Sequence, residues 1–391
     1  MFRRLLSPSN HSSFFLFGAR GTGKSTWLKG HFLKENVLYF DLLDPAIENL
    51  FLTQPQRFKE QILSALEKQP KLNWIIVDEV QKCPALLNYV HMLIEDKKLK
   101  FALSGSSARR LKQKGVNLLA GRAFIEHLFP LTHGELGADF DLKSVLSYGS
   151  LPHVFDLHHP QEKKDFLSAY ALTYVQNEIQ AEQWIRKLTP FRKFLPIAAQ
   201  MNGKIINYHK IEKDIGVDWS TIKNYFDILE DTLIGFQLEG WHQSVRKRQR
   251  QAPKFYFFDI GIKKALEGSL DQIPTPGTGF YGECFEHFII LEIYRLNTLL
   301  KKDYKLSYLR TKDDAEIDII LSKPGIPILL IEIKSSSNII ESDITNLSNL
   351  ARDIPNSKPY VLCQESTPRK MGSVEILPWE QGLKEIGLIQ T

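Results

Sequence analysis

The stretch FFLFGARGTGKST, Phe14 to Thr26, decides the reading of this chain. An apolar run, Phe14–Phe17, enters a glycine-rich turn that ends in Lys24-Ser25-Thr26. Gly18, Gly23, Lys24 and Ser25 fit G-x-x-x-x-G-K-[ST], the phosphate-binding P-loop. Glycine lets such a loop bring its backbone N–H groups, here from Gly18, Ala19, Arg20, Gly21, Thr22 and Gly23, close to phosphate oxygens. Lys24 is spaced to reach the β- and γ-phosphates of ATP, and Ser25 to hold Mg²⁺. A helix predicted from Ser25 to Leu33 adds its positive N-terminal end, with Thr26 in its first turn.

Downstream, apolar strands and helices alternate, which predicts an α/β fold with a parallel sheet. VLYFDL (Val37–Leu42) reads as a buried strand and Arg57–Gln69 as a helix. WIIVDE (Trp74–Glu79) has the form of a Walker B strand. Asp78 can bind Mg²⁺ through water, and Glu79 can polarise the attacking water. FALSGS (Phe101–Ser106) ends in polar residues on the edge where open α/β sheets bind ligands. Ser104 there reads either as a γ-phosphate sensor or as a strand-to-helix cap. Arg109, Arg110 and Arg122 are candidates to stabilise phosphoryl-transfer charge, in cis or across a subunit interface. The strand between the P-loop strand and the DE strand implies a sheet of the additional-strand type.

The chain has 391 residues, 43% apolar and 24% charged, enough for two or three domains of a globular protein. No apolar run reaches the length of a membrane span. Cys83, Cys284 and Cys363 are isolated, with neither a disulfide framework nor a zinc-ligand spacing, which predicts a cytoplasmic protein. The net charge of +5 is mild, so its distribution carries more than its total.

GARGTGKST, WIIVDEVQKCP, FALSGSSARRL and LLAGRAFIEHLFPLTHGEL together resemble the prokaryotic AAA+ family ATPases of the archaeal-ATPase-like group. Members carry a second region of formerly unknown function, which GSLPHVF (Gly149–Phe155), KFYFFDIGIKKAL (Lys254–Leu266) and GECFEHFIILEI (Gly282–Ile293) resemble. The resemblance implies a P-loop AAA+ core over residues 1–136. It favours Arg122, in the family's typical GR pair, as the functional arginine, and it implies a ring-forming homo-oligomer.

Residues 137–188 read as helical and are expected to form a lid. Residues 189–268 read as three helices followed by two apolar segments, LIGFQLEGW and KFYFFD: a winged helix. In such a fold the third helix enters the DNA major groove and the hairpin tip reaches the backbone. Ser220, Thr221, Lys223 and Asn224 lie off the apolar face of that helix. Arg246, Lys247, Arg248 and Arg250 crowd the tip. From Arg186 to Lys254 there are 13 Lys/Arg against 7 Asp/Glu, an excess larger than the net charge of the whole chain. That clustering points to nucleic-acid phosphate; winged helices also mediate protein contacts.

Residues 269–391 follow a Pro/Gly-rich stretch, Ile273–Gly282. Glu286 falls on an apolar helix face, Asp318 on a strand AEIDIIL, and Glu332 and Lys334 on a strand IPILLIEIKSS. The order helix–Glu, strand–Asp, strand–E-x-K is that of a PD-(D/E)xK nuclease-like domain. Asp318, Glu332 and the carbonyl of Ile333 would bind a divalent metal, with Glu286 approaching from the helix, and Lys334 would orient the attacking water. Ile317 stands where that pattern has proline.

Taken together, the sequence predicts an ATP-hydrolysing protein acting on duplex or branched DNA. The alternatives are a nucleotide-controlled switch that binds a protein through its winged helix, and a metal-dependent nuclease gated by ATP.

Overall fold

Strands that are apolar along their whole length can be satisfied only when both faces of their sheet are covered. In the computed structural model, β1 (Ser13–Phe17) meets that condition, with every residue buried. Phe14 packs one face against Trp27, Phe32 and Trp74. Phe15 and Phe17, two residues apart, stack on the opposite face at 5.5 Å. The structure describes residues 2–32, 36–106, 119, 121–174, 188–242 and 251–389. The chain divides into two compact units, Met1–Leu131 with Asp231–Leu233, and Thr132–Glu230 with Ile234–Thr391.

The first unit holds a five-stranded parallel sheet in the order β2-β3-β4-β1-β5. The other strands are β2 (Val37–Asp41), β3 (Trp74–Asp78), β4 (Lys100–Gly105) and β5 (Ala123–His127). Strand β4 thus sits between β1 and β3. Helices α1 (Lys24–His31), α2 (Pro45–Thr53), α3 (Gln56–Lys68) and α4 (Leu86–Lys97) lie between the strands in chain order. Asp44 starts α2 by accepting from Ala46 N at 2.8 Å, with Pro45 in the first turn. Phe40, Phe51 and Phe58 form a mutual aromatic cluster that seals β2 to α2 and α3.

The second unit begins with short helices: α5 (His133–Leu136), α6 (Leu142–Tyr148), α7 (Pro152–Asp156) and α8 (Pro160–Ala169). Three more follow, α9 (Leu188–Gln200), α10 (Tyr208–Ile215) and α11 (Trp219–Asp231). An antiparallel pair, β6 (Gly235–Leu238) and β7 (Lys254–Phe257), comes next. Helices α12 (Ile260–Glu267) and α13 (Gly279–Leu299) lead to a six-stranded sheet in the order β12-β13-β11-β10-β9-β8. Its strands are β8 (Lys305–Arg310), β9 (Glu316–Ser322), β10 (Ile328–Ile333), β11 (Ser357–Cys363), β12 (Arg369–Met371) and β13 (Val374–Pro378). Strands β8, β9 and β10 are antiparallel neighbours. Helix α14 (Glu341–Asp353) then crosses over so that β11 runs parallel to β10. Helix α15 (Trp379–Glu385) closes the unit.

Buried polar contacts knit this unit together. Asp259 is fully buried and accepts from Ile262 N, capping α12, and from Ser150 N at 2.7 Å. Gly149 turns there with φ +74°, and a Cβ on it would stand 2.1 Å from the Asp259 carboxylate. Only glycine meets both demands. Arg295 of α13 ties the same corner by donating to Ser150 Oγ and Phe258 O. The GSLPHVF and FDIG motifs are therefore two halves of one buried contact.

His133 of α5 meets Glu292 of α13 through Nδ1 at 2.6 Å, beside the rings of Trp379 and Phe140. Burial alone would lower the His133 pKa. The hydrogen bond and charge of Glu292, aided by Glu380 and opposed by Lys384, raise it above the usual 6.5. A raised histidine pKa adds stability that is full below about pH 6.5 and is lost as pH rises through the folded-state value. In urea unfolding, the stability advantage of the wild type over His133→Gln should be larger at pH 6 than at pH 8.5. An advantage equal at both would show that the ion pair contributes nothing.

Candidate functional site

The phosphate-loop residues occupy the carboxyl end of β1, and α1 starts at Lys24. Gly21 and Gly23 have φ of 76° and 91°, conformations that side chains with a Cβ rarely adopt. At Gly18 the constraint is space: a Cβ would lie 2.3 Å from the carbonyl oxygen of Leu128. Thr22 is fully buried, and its hydroxyl donates to Ala19 O at 2.8 Å. Lys24 is also buried and donates to Gly18 O at 2.8 Å and Ala19 O at 3.2 Å. Its ammonium is thus held inside the loop. Arg20 and Thr26 are exposed and Ser25 half-buried, each as its place on the loop or first helical turn dictates. Arg4, which the sequence reading passed over, donates to Thr22 O at 2.9 Å and Phe129 O at 2.5 Å. It anchors the loop from the N-terminal segment.

Parallel pairing brings the ends of β3 and β4 to the same edge. Asp78 is fully buried. One of its oxygens accepts from Tyr39 OH at 2.6 Å and the other from Ser104 Oγ. Burial and the Asp78 carboxylate push the Tyr39 phenol far up, so it remains a donor. Ser104 Oγ also accepts from Glu79 N at 3.0 Å. Ser104 is 0% exposed, so its hydroxyl is spent on holding the acidic pair. Glu79 itself has φ 60° and ψ 46°, a left-handed conformation unusual for a residue with a side chain. Such outliers concentrate at functional positions. Gln81 Nε2 donates to the Glu79 carboxylate and, at 3.3 Å, to Ser106 Oγ. Gln81 is a second residue that the sequence reading missed. The signal was a polar residue two positions after the DE pair whose side chain is buried.

Arg122 does not join this edge. Arg122 precedes β5, whose Ala123 pairs with Ser13 at the start of β1. It therefore sits at the amino end of the strands, roughly 15 Å along the sheet from the P-loop at about 3.3 Å per residue. There it pairs with Glu95. Arg109 and Arg110 lie outside the described residues.

In the second unit, Ser220, Lys223 and Asn224 are exposed on α11, while Ile222, Tyr225, Phe226, Ile228 and Leu229 are buried. The α11 periodicity was legible. Arg246, Lys247, Arg248 and Arg250 lie outside the described residues.

The C-terminal acids do assemble. Strands β9 and β10 are antiparallel neighbours, and Asp318 accepts from Ile333 N at 2.7 Å. Glu332 accepts from Lys334 Nζ at 2.8 Å. Glu286 of α13 accepts from Tyr256 OH at 2.8 Å. Burial, then mutual repulsion with Asp318, pushes the Glu286 and Glu332 carboxyls upward, and burial does the same for Asp318. Hard carboxylate donors of this kind suit a divalent ion. Glu332 Oε2, buried and without a hydrogen-bond partner among the described residues, fits a metal-facing atom. As placed, however, no three acidic, His or Cys groups among the described residues are close enough to hold a metal ion.

Residues 10–137 match the family described as an AAA domain. Residues 139–272 and 281–381 match two families described only as domains of unknown function. Uncharacterized proteins of Mycobacterium bovis and Mycobacterium tuberculosis are each 27% identical over 256 residues, 65% of this chain and 57% of theirs. The chain thus spans little more than half the length of those relatives. An uncharacterized protein of Haemophilus influenzae is 22% identical over 330 residues, 78% of each chain. Among solved structures, the Walker-type ATPase PABY2304 of Pyrococcus abyssi aligns with a TM-score of 0.45 at 11% identity, covering 66% of this chain and 91% of that one. Domain III of the Thermotoga maritima replication initiation protein DnaA aligns with a TM-score of 0.25 at 14% identity, covering 54% and 85%. The first unit of this chain carries an ATPase core of the AAA type.

Ser104→Ala would leave one oxygen of buried Asp78 and the N–H of Glu79 each a partner short. An orphaned buried polar group costs about 1–3 kcal/mol. Denaturant midpoints should show a loss in that range, with Tyr39→Phe giving a loss of similar size. An unchanged midpoint in both would mean that Asp78 is not held as described.

Proposed function

We propose that the chain is a Mg²⁺-dependent ATPase that binds DNA and couples nucleotide turnover to it. The reading assigns residues 137–188 as a lid, 189–268 as a winged helix and 269–391 as a PD-(D/E)xK nuclease-like domain. The observation that carries the DNA-binding part is the polar, exposed face of α11. Ser220, Lys223 and Asn224 stand on it, and the β6–β7 pair follows with the basic run 246–250 between its strands. A helix with one buried and one polar face, followed in the sequence by a basic run, matches the charge pattern of a groove-reading module.

In the nucleotide site, Lys24 and the P-loop N–H groups would bind the phosphates. Ser25 and Asp78 would hold Mg²⁺, which when bound neutralises charge developing on the transferred phosphoryl group. Glu79, fixed through its backbone by Ser104 and through its carboxylate by Gln81, would accept a proton from the attacking water. Arg122 would act only from a neighbouring copy in a homo-oligomer, since its own P-loop is at the other end of the sheet.

A second reading has one observation in its favour. Trp219, at the start of α11, is 45% exposed. Tryptophan is enriched at protein contacts, so a nucleotide-controlled switch docking a protein there is the competing account.

Lys24→Ala should lose nucleotide binding, whereas Glu79→Gln should bind ATP normally and lower turnover by at least a hundredfold. Binding to duplex DNA should weaken with salt at a log–log slope of about −0.9 per phosphate contacted, and Lys223→Ala should make that slope shallower by about one unit. A DNA affinity that ignores salt would contradict the phosphate contacts and favour the protein-docking switch.

A further inference from the structure

An anion-binding loop needs its N–H groups turned toward the phosphates and its carbonyl oxygens turned away, because a carbonyl oxygen repels an anion. The peptide between Thr22 and Gly23 is the last of the P-loop before α1. Its carbonyl is held from outside the motif: Arg4 Nη1 donates to Thr22 O at 2.9 Å. A peptide bond is planar and trans, so its C=O and N–H point in opposite directions. Drawing Thr22 O toward the guanidinium therefore turns the Gly23 N–H away from Arg4. Gly23 has φ 91°. With no Cβ to restrict rotation, a glycine would let this peptide plane turn if nothing held it.

The guanidinium is itself fixed. Its Nη2 donates to Phe129 O at 2.5 Å. Phe129 follows Leu128, whose N–H donates to Phe17 O at 2.8 Å and so continues the pairing of β5 with β1. The carbonyl of that same Leu128 lies against Gly18, at the start of the loop. One half-buried fork thus spans two carbonyls, one on the loop and one on the chain leaving the sheet. A guanidinium can do this because its N–H donors form a rigid plane; a lysine ammonium presents no such fork.

We propose that Arg4 is a positioning residue for the nucleotide: by clamping Thr22 O to the end of the sheet it aims the Gly23 N–H at the phosphates and sets the affinity for nucleoside di- and triphosphates. It acts through that peptide and not on the reacting atoms. The proposal rests on reading the P-loop as the nucleotide site.

The test is steady-state ATPase kinetics of the full chain with Mg²⁺, beside equilibrium binding of fluorescent ATP and ADP analogues. Arg4→Met should raise the KM for ATP by about tenfold or more and leave kcat within about twofold, the pattern of a lost ground-state contact. Affinity for the ADP analogue should fall by the same factor, since ADP retains the α- and β-phosphates that the loop cradles. Arg4→Lys keeps the charge and loses the fork, so it should behave like Arg4→Met. Arg4→Gln replaces the Met variant if that one does not fold. If Arg4→Lys matches the wild type, charge acts and the clamp does not, and the proposal is overturned. If Arg4→Met leaves both affinities unchanged while Lys24→Ala loses them, the role of Arg4 is overturned and the nucleotide site stands. If the wild type binds neither analogue, the site reading and the proposal fall together.

Discussion

Parallel pairing of β1 with β4 and of β4 with β3 is the constraint on which the first unit depends. These strands are buried along their length, so chemistry is confined to the edge where they end. At that edge the P-loop lysine and the acidic pair are each held by neighbours. The loop after β1 closes on Lys24, Asp78 is gripped by Tyr39 and Ser104, and Glu79 is held by Ser104 and Gln81. The acidic pair is positioned before any ligand arrives. Preorganised polar groups in a dry setting lower a barrier more than freely turning ones.

A comparable logic runs through the second unit, with charge in place of phosphate geometry. Four carboxylates and two lysines converge on β9, β10, α13 and β7. Removing carboxylates from water is costly unless cations or hydrogen bonds compensate. Lys334 compensates Glu332, Tyr256 donates to Glu286, and Lys254 pairs with Glu316. The segment carrying α11, β6 and β7 is therefore bonded into the wall of the acidic cluster and is not a separate bead on the chain.

Much of this was legible in the sequence. The P-loop spacing, the DE pair closing an apolar strand and the i, i+3, i+4, i+7 face of α11 each follow from a short periodicity or motif. So does the placement of Asp318 and Glu332 on neighbouring strands, with Lys334 one residue past the end of the second. What stayed hidden depended on contacts across long separations. Nothing local to Arg4 marks it as an anchor of a loop some 18 residues away. Lys254 entered only the charge count of residues 186–254, because its burial is decided by Glu316, 62 residues later in the numbering. Arg122 was favoured on its family pattern, yet the register of β5 on β1 carries it to the far end of the sheet. Motifs report residue types at fixed spacing; register and packing decide which end of the sheet they reach.

The central claim is that one chain links nucleotide chemistry to nucleic-acid engagement. Linkage makes this measurable without following hydrolysis. In Glu79→Gln, the factor by which saturating duplex DNA changes the affinity for a fluorescent ATP analogue must equal the factor by which ATP changes the affinity for DNA. The account predicts equal factors of about five or more in both directions, lost together when Lys24 is replaced by alanine. Factors of one in both directions, with each ligand still binding, would contradict it.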